Sequence, residues 1–247
     1  MSQVLAGIHS IQVLLENSPD DVLELIFQQA NKKNKRLAQL ELLARKHQIK
    51  IAYSDKQILD KICCGVKHQG VIAKRKERRS LNENDLAILF EKLDRPAFFL
   101  ILDGIQDPHN LGACLRSADA AGVHAVIAPK DNSVAITPTV EKVACGAVES
   151  VPLILVTNLV RTMEFLQQKG VWLSGAAAGE EHESLFNADF KGNCGLVIGS
   201  EGDGLRRLTR EHCDFLVQIP MSGTVESLNA SVAAGIFMFE VVRQRQN

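Results

Sequence analysis

Beyond Pro96, short continuous apolar runs alternate with helical patterns, and this constrains the fold of the 247-residue chain more than any other feature. The runs are Ala97–Leu102, Ala125–Pro129, Pro152–Val156, Val171–Gly175, Gly195–Gly199 and Phe215–Ile219. A strand with one wet face alternates apolar and polar residues, whereas an uninterrupted apolar run is covered on both faces. Such strands separated by helices predict an α/β domain with a mostly parallel sheet. Ligands in these sheets bind beyond the carboxyl ends of the strands.

Residues before this region read as a smaller α/β unit. Ile8, Ile11 and Leu15 have helical spacing, and Asn17-Ser18-Pro19-Asp20 breaks it. Val22–Phe27 and Ile49–Tyr53 are strand-like, with Ser54 a candidate cap for a following helix. Leu37, Leu40, Leu43 and Ala44 mark a helix face, and Gly70–Ala73 is a last strand. The expected organisation is a domain over 1–73, a linker over 74–94 with a helix near Asp85–Leu93, and a larger domain over 95–247.

The net charge of −1 conceals an asymmetry. Residues 1–80 hold 15 Lys and Arg against 8 Asp and Glu, and the remainder holds 13 against 21. A basic first third points to a polyanion, with nucleic acid the usual one. Two runs carry it, Lys32-Lys33-Asn34-Lys35-Arg36 and Lys74-Arg75-Lys76-Glu77-Arg78-Arg79. Solvated surface accounts for either run alone equally well. The opening MSQVLAGIHSIQ makes a poor signal peptide, and no apolar stretch is long enough to span a membrane. The expected location is the cytoplasm. The six cysteines, at 63, 64, 114, 145, 194 and 213, then read as reduced thiols. No Cys or His spacing suggests a metal site.

Three segments each run from apolar strand through a polar turn to a helix: 102–123, 196–208 and 219–240. In the first, Asn110 can cap a helix starting at Leu111, and Arg116 can pair with Asp119 one turn on. The second holds Gly199-Ser200-Glu201-Gly202-Asp203-Gly204, which is neither the dinucleotide fingerprint nor a P-loop and so disfavours a nicotinamide-dependent oxidoreductase. Glu201 there is either a helix-terminus anion or a site residue. In the third, Ser227 can be an N-cap with Asn229 just inside the helix, and Gly235 suggests that another segment presses on it. Capping accounts for each segment taken singly. Three such turns in one chain suggest one composite site.

As an ordered set, N-x-x-x-x-x-R, G-x-E-x-x-G and S-L-N-x-S-x-A resemble the three motifs of the SpoU (TrmH-like) branch of the SPOUT RNA methyltransferases. G-I-H-S-I-Q-V-L-L-E and H-Q-G-V-I-A near the N-terminus are similar to the small substrate-binding domain that precedes the catalytic domain in that family. The resemblance implies a trefoil-knotted catalytic domain behind an L30e-like one. It implies S-adenosylmethionine as cofactor without a metal, and 2′-O-methylation of a guanosine in large-subunit (23S) ribosomal RNA, free or in a pre-ribosomal particle. It also implies a homodimer with a site completed across the interface. Mapped onto this sequence, the catalytic set is Asn110, Arg116, Glu201, Ser227 and Asn229. The cofactor set is Ala176, Gly199, Ile219, Met221 and Leu228. The alternatives are methylation of a tRNA ribose, or a non-catalytic RNA-binding factor in ribosome assembly.

Overall fold

A computed structural model describes residues 2–29, 34–63, 66–179, 182–225 and 227–246. Lys32 and Lys33 of the first basic run, and Cys64, lie outside the described residues. The chain divides into two compact units, Met1–Arg79 with Cys145–Ser150, and Ser80–Ala144 with Val151–Asn247.

In the first unit the elements are β1 (Ser2–Ala6), α1 (Ile8–Asn17), a 3-10 turn (Pro19–Asp21), β2 (Val22–Gln28), α2 (Lys35–Lys46), β3 (Ile51–Ser54), α3 (Lys56–Ile62) and β4 (Val71–Lys76). The strand order is β1-β4-β2-β3. Ile11, Leu14 and Leu15 of α1 and Leu37, Leu40 and Ala44 of α2 pack on Leu25, Phe27, Val71 and Ala73. β1 was not evident in the sequence. Ser54 ends β3 instead of capping, and Asp55 takes the cap position of α3.

Lys74, Arg75 and Lys76, expected in the linker, are the end of β4. This strand is internal to the sheet, so pairing on both sides extends it past the apolar residues. Counter-ions offset its charge. Glu24 on β2 pairs with Lys74 at 2.9 Å and Lys50 at 2.7 Å, and the Lys50 and Lys74 ammonium groups hold its carboxyl below the usual range. Arg75 is buried and meets Glu149 at 2.5 Å. Arg78 also donates to the Val148 carbonyl. The second basic run is therefore partly structural.

The second unit comprises α4 (Glu83–Phe90), β5 (Phe98–Asp103), α5 (Pro108–Ala121), β6 (Ala125–Pro129), α6 (Pro138–Ala144), β7 (Leu153–Val156), α8 (Leu159–Gln168), β8 (Trp172–Ala176), β9 (Glu183–Ser184), β10 (Cys194–Gly199), α9 (Arg207–Glu211), β11 (Phe215–Gln218) and α10 (Ala230–Gln246). The short α7 (Ala147–Ser150) belongs to the first unit. The sheet order is β7-β6-β5-β10-β8-β11-β9, with every pairing parallel. All of β5 and β10 is buried, as their unbroken apolar runs require. Phe99, Ile101, Ile127, Val197 and Leu173 face a core with Met163 and Leu166 of α8. β10 lies between β5 and β8 although it follows both in sequence, so the carboxyl ends of β5, β10, β8 and β11 are brought side by side.

α5 packs against both α6 and α10. Its cap is Asp107, whose carboxylate accepts from the His109 N–H at 2.9 Å, with Pro108 at the first helical position. Asn110 is thus inside the first turn and is not the cap. At Gly235 the expected close approach is absent: an added Cβ would lie 3.9 Å from Ser117 Oγ, an ordinary contact. Among the described residues no helix is long and apolar enough to cross a membrane.

Candidate functional site

A cavity of about 990 Å³ opens between the second and third strand-to-helix loops and the segment Ala176–Gly179 that follows β8. Its volume suits a small-molecule site. Ala176, Gly199, Ile219, Met221 and Leu228 all line it, as do Glu201, Ser227 and Asn229. Val217 and Phe237 add buried apolar wall. Neither was singled out in the sequence, although Val217 lies within a recognised strand.

The polar centre is a three-residue network. Asn110 is buried, and its Nδ2 donates to Glu201 Oε1 at 3.1 Å. Asn229 Nδ2 donates to Asn110 Oδ1 at 3.0 Å and also to Glu201 Oε1. The Ala230 N–H reaches the same oxygen at 3.4 Å. One carboxylate oxygen therefore collects donors from α5 and from the start of α10, where the helix dipole favours an anion. Glu201 Oε2 has no hydrogen bond among the described residues, so it is free to accept one from a ligand.

Asn229 does two things at once. Its Oδ1 accepts from the Ser231 N–H at 3.0 Å and the Ser231 hydroxyl at 2.6 Å, so it caps α10. Its Nδ2 is left to tie the third loop to the first two. Ser227, expected as the cap, is exposed at the cavity wall and makes no hydrogen bond among the described residues. The helix begins too late for Ser227 to cap it, at Ala230.

Arg116 does not join this group. Six helical residues turn it about 120° away from Asn110. It is exposed, it makes no ion pair or hydrogen bond among the described residues, and it does not line the cavity. The expected pair with Asp119 is not formed.

The second loop is preformed. Ser200 and Gly204 exchange backbone hydrogen bonds at 3.1 and 3.0 Å. A Cβ on Gly199 would lie 2.1 Å from the Gly204 carbonyl carbon, so only glycine fits there. Between Ile219 and Leu228, by contrast, the described residues make no backbone–backbone hydrogen bond. Their amides and carbonyls remain available along the cavity wall. Apolar side chains beside open backbone groups suit a nucleoside-bearing cofactor, so the donor set fits S-adenosylmethionine.

Arg210 also lines the cavity, and its Nη2 meets His182 Nε2 at 2.9 Å. Burial pushes the Cys114 and Cys213 thiols up to about 12 and Cys194 to about 11, so none supplies a thiolate near neutral pH.

Comparison with known proteins agrees with this geometry. The SpoU rRNA Methylase family matches residues 97–239, and a domain described as RNA 2'-O ribose methyltransferase substrate binding matches residues 4–81. The chain is 54% identical to the 23S rRNA (guanosine-2'-O-)-methyltransferase RlmB of Escherichia coli K12, over 99% of this chain and 100% of that protein. It is 52% identical to the protein of the same name from Shewanella oneidensis, over 99% and 98% of the two chains. Its fold matches that of the SpoU methyltransferase AviRb from Streptomyces viridochromogenes, solved in complex with the cofactor AdoMet, with a TM-score of 0.81 at 24% identity over 99% of this chain and 91% of that one. The chain belongs to the SpoU rRNA methylase family.

Proposed function

We propose that this protein transfers a methyl group from S-adenosylmethionine to the 2′-hydroxyl of a guanosine in 23S ribosomal RNA. The observation that carries the reading is the Asn110–Glu201–Asn229 network, whose Glu201 and Asn229 line the cavity while the buried Asn110 holds both. The RlmB relatives, similar over their full length, support the substrate. Ala176, Gly199, Ile219, Met221 and Leu228 hold the cofactor, largely through backbone groups. When bound, the cofactor supplies an electrophilic sulfonium methyl. The protein's part is to orient the ribose and to accept or relay one proton. Holding the reactants in attack geometry supplies much of such a rate gain. Glu201 Oε2 is placed to accept a hydrogen bond from the ribose, with Asn110, Ser227 and Asn229 shaping the loop around it. A guanidinium stays charged in proteins, so Arg116 acts by holding the phosphate beside the target, not as a simple base.

The first unit, which runs through β4 to Arg79, supplies RNA binding, and the second carries catalysis. The protein works in the cytoplasm on rRNA or an assembling particle, as a homodimer. The exposed position of Arg116, and Val232 and Phe239 exposed two turns apart on α10, favour a second copy completing the site.

Incubation with unmodified large-subunit rRNA and methyl-labelled cofactor tests the reaction. One alkali-resistant 2′-O-methylguanosine is expected. Label in tRNA alone shifts the reading to a tRNA ribose, and no label with intact cofactor binding leaves an assembly factor. Mixing inactive Arg116→Ala and Glu201→Ala proteins tests the dimer. Recovered activity is expected, and persistent inactivity after subunit exchange rejects a shared site.

A further inference from the structure

Asp103 ends β5 and stands opposite Gly199 in the β5–β10 register. Its carboxylate is fully buried, at 0% exposure, and a single residue satisfies it. The Arg206 backbone N–H donates to Oδ2 at 2.9 Å and Arg206 Nε to Oδ1 at 2.6 Å, with Nη2 also on Oδ1. Loop 199–206 therefore begins and ends on the same residue. Within it, the paired Ser200 and Gly204 close a small ring that includes Glu201. A loop held at both ends on one rigid strand has few ways to move its tip. Charge-assisted, forked bonds of this kind are the strong ones.

We propose that Asp103 and Arg206 are positioning residues for Glu201: the pair locks the glycine loop in its working shape before any ligand arrives. This rests on the methyltransferase reading. Neither residue touches the reactants. Their effect passes through the loop to the carboxylate that meets Asn110 and Asn229.

The experiment uses full-length Asp103→Asn, Arg206→Ala and Arg206→Lys. Hydrogen exchange over 199–206 reports the clamp without any ligand. S-adenosylhomocysteine affinity and kcat at saturating substrates report its effect on the site. Asp103→Asn and Arg206→Ala are expected to speed exchange across the loop and weaken cofactor affinity by about tenfold, the size of a lost charge-assisted bond. They also lower kcat. Arg206→Lys, which keeps the charge and backbone N–H, should recover part of each. Unchanged exchange, or an activity loss that only tracks the folded fraction, overturns the proposal. Failure of the wild type to bind S-adenosylhomocysteine rejects the methyltransferase reading instead, and the exchange result still judges the clamp.

Discussion

Loops 199–206 and 219–229 border the same cavity but are built on opposite plans. The first is closed by its own backbone bonds, by the contact of Gly199 on Gly204, and by both of its ends at Asp103. The second makes no backbone–backbone bond among the described residues until Asn229, whose carbonyl accepts from Ala233 as α10 begins. The contrast suggests a division of labour. A group that must meet a reacting atom belongs on a preorganised loop, since reorganisation during the reaction is costly. A segment that grips a ligand through its amides and carbonyls must leave them unpaired until the ligand arrives.

Substitutions that test this difference fall in order of size. Gly199→Ala forces a Cβ into the Gly204 backbone, with no flexible side chain to give way. A stability loss of about 3 kcal/mol is expected from such overpacking, read by denaturant unfolding, with cofactor affinity lost alongside. A tolerant Gly199→Ala would mean that the closed loop is not closed.

Asn229 is where the two loops meet. Serine is about as good an N-cap as asparagine but is too short to reach Asn110. Asn229→Ser should therefore keep the cap but cost about 1 kcal/mol in stability, because the buried Asn110 Oδ1 loses its donor, while methyl transfer falls about tenfold or more. Unchanged methyl transfer would reduce Asn229 to a helix cap.

Gly223, in the open loop, has nothing within 4 Å of an added Cβ. Gly223→Ala should change unfolding free energy by less than about 0.5 kcal/mol. A large effect there would show the open loop to be packed after all.

The α/β character of both units was legible because hydrophobic burial writes itself into apolar periodicity. The six runs read beyond Pro96 lie on β5, β6, β7, β8, β10 and β11. β1 escaped because its apolar residues Val4, Leu5 and Ala6 run into the helical pattern of α1 with only Gly7 between. The end of β4 escaped because its charges are answered by Glu24 and Glu149, which are 50 and 74 residues away from their partners. The caps were misplaced by one to three residues. Pro108 and Asp107 fix the start of α5, whereas Ser227 and Asn229 were both chemically able to start α10.

The sequence by itself determined the residue types of the site, the order of its three loops and the family. Those follow from local chemistry and from motifs that need no folding to be seen. Only the tertiary structure decided which capable residues act together. Asn110 lies 91 residues from Glu201 and 119 from Asn229, and only a sheet that slots β10 between β5 and β8 makes them neighbours. Arg116, only six residues from Asn110, is carried away by the turn of one helix. The clamp of Asp103 on Arg206 was hidden for the same reason: a buried carboxylate needs a partner, but only the fold says which.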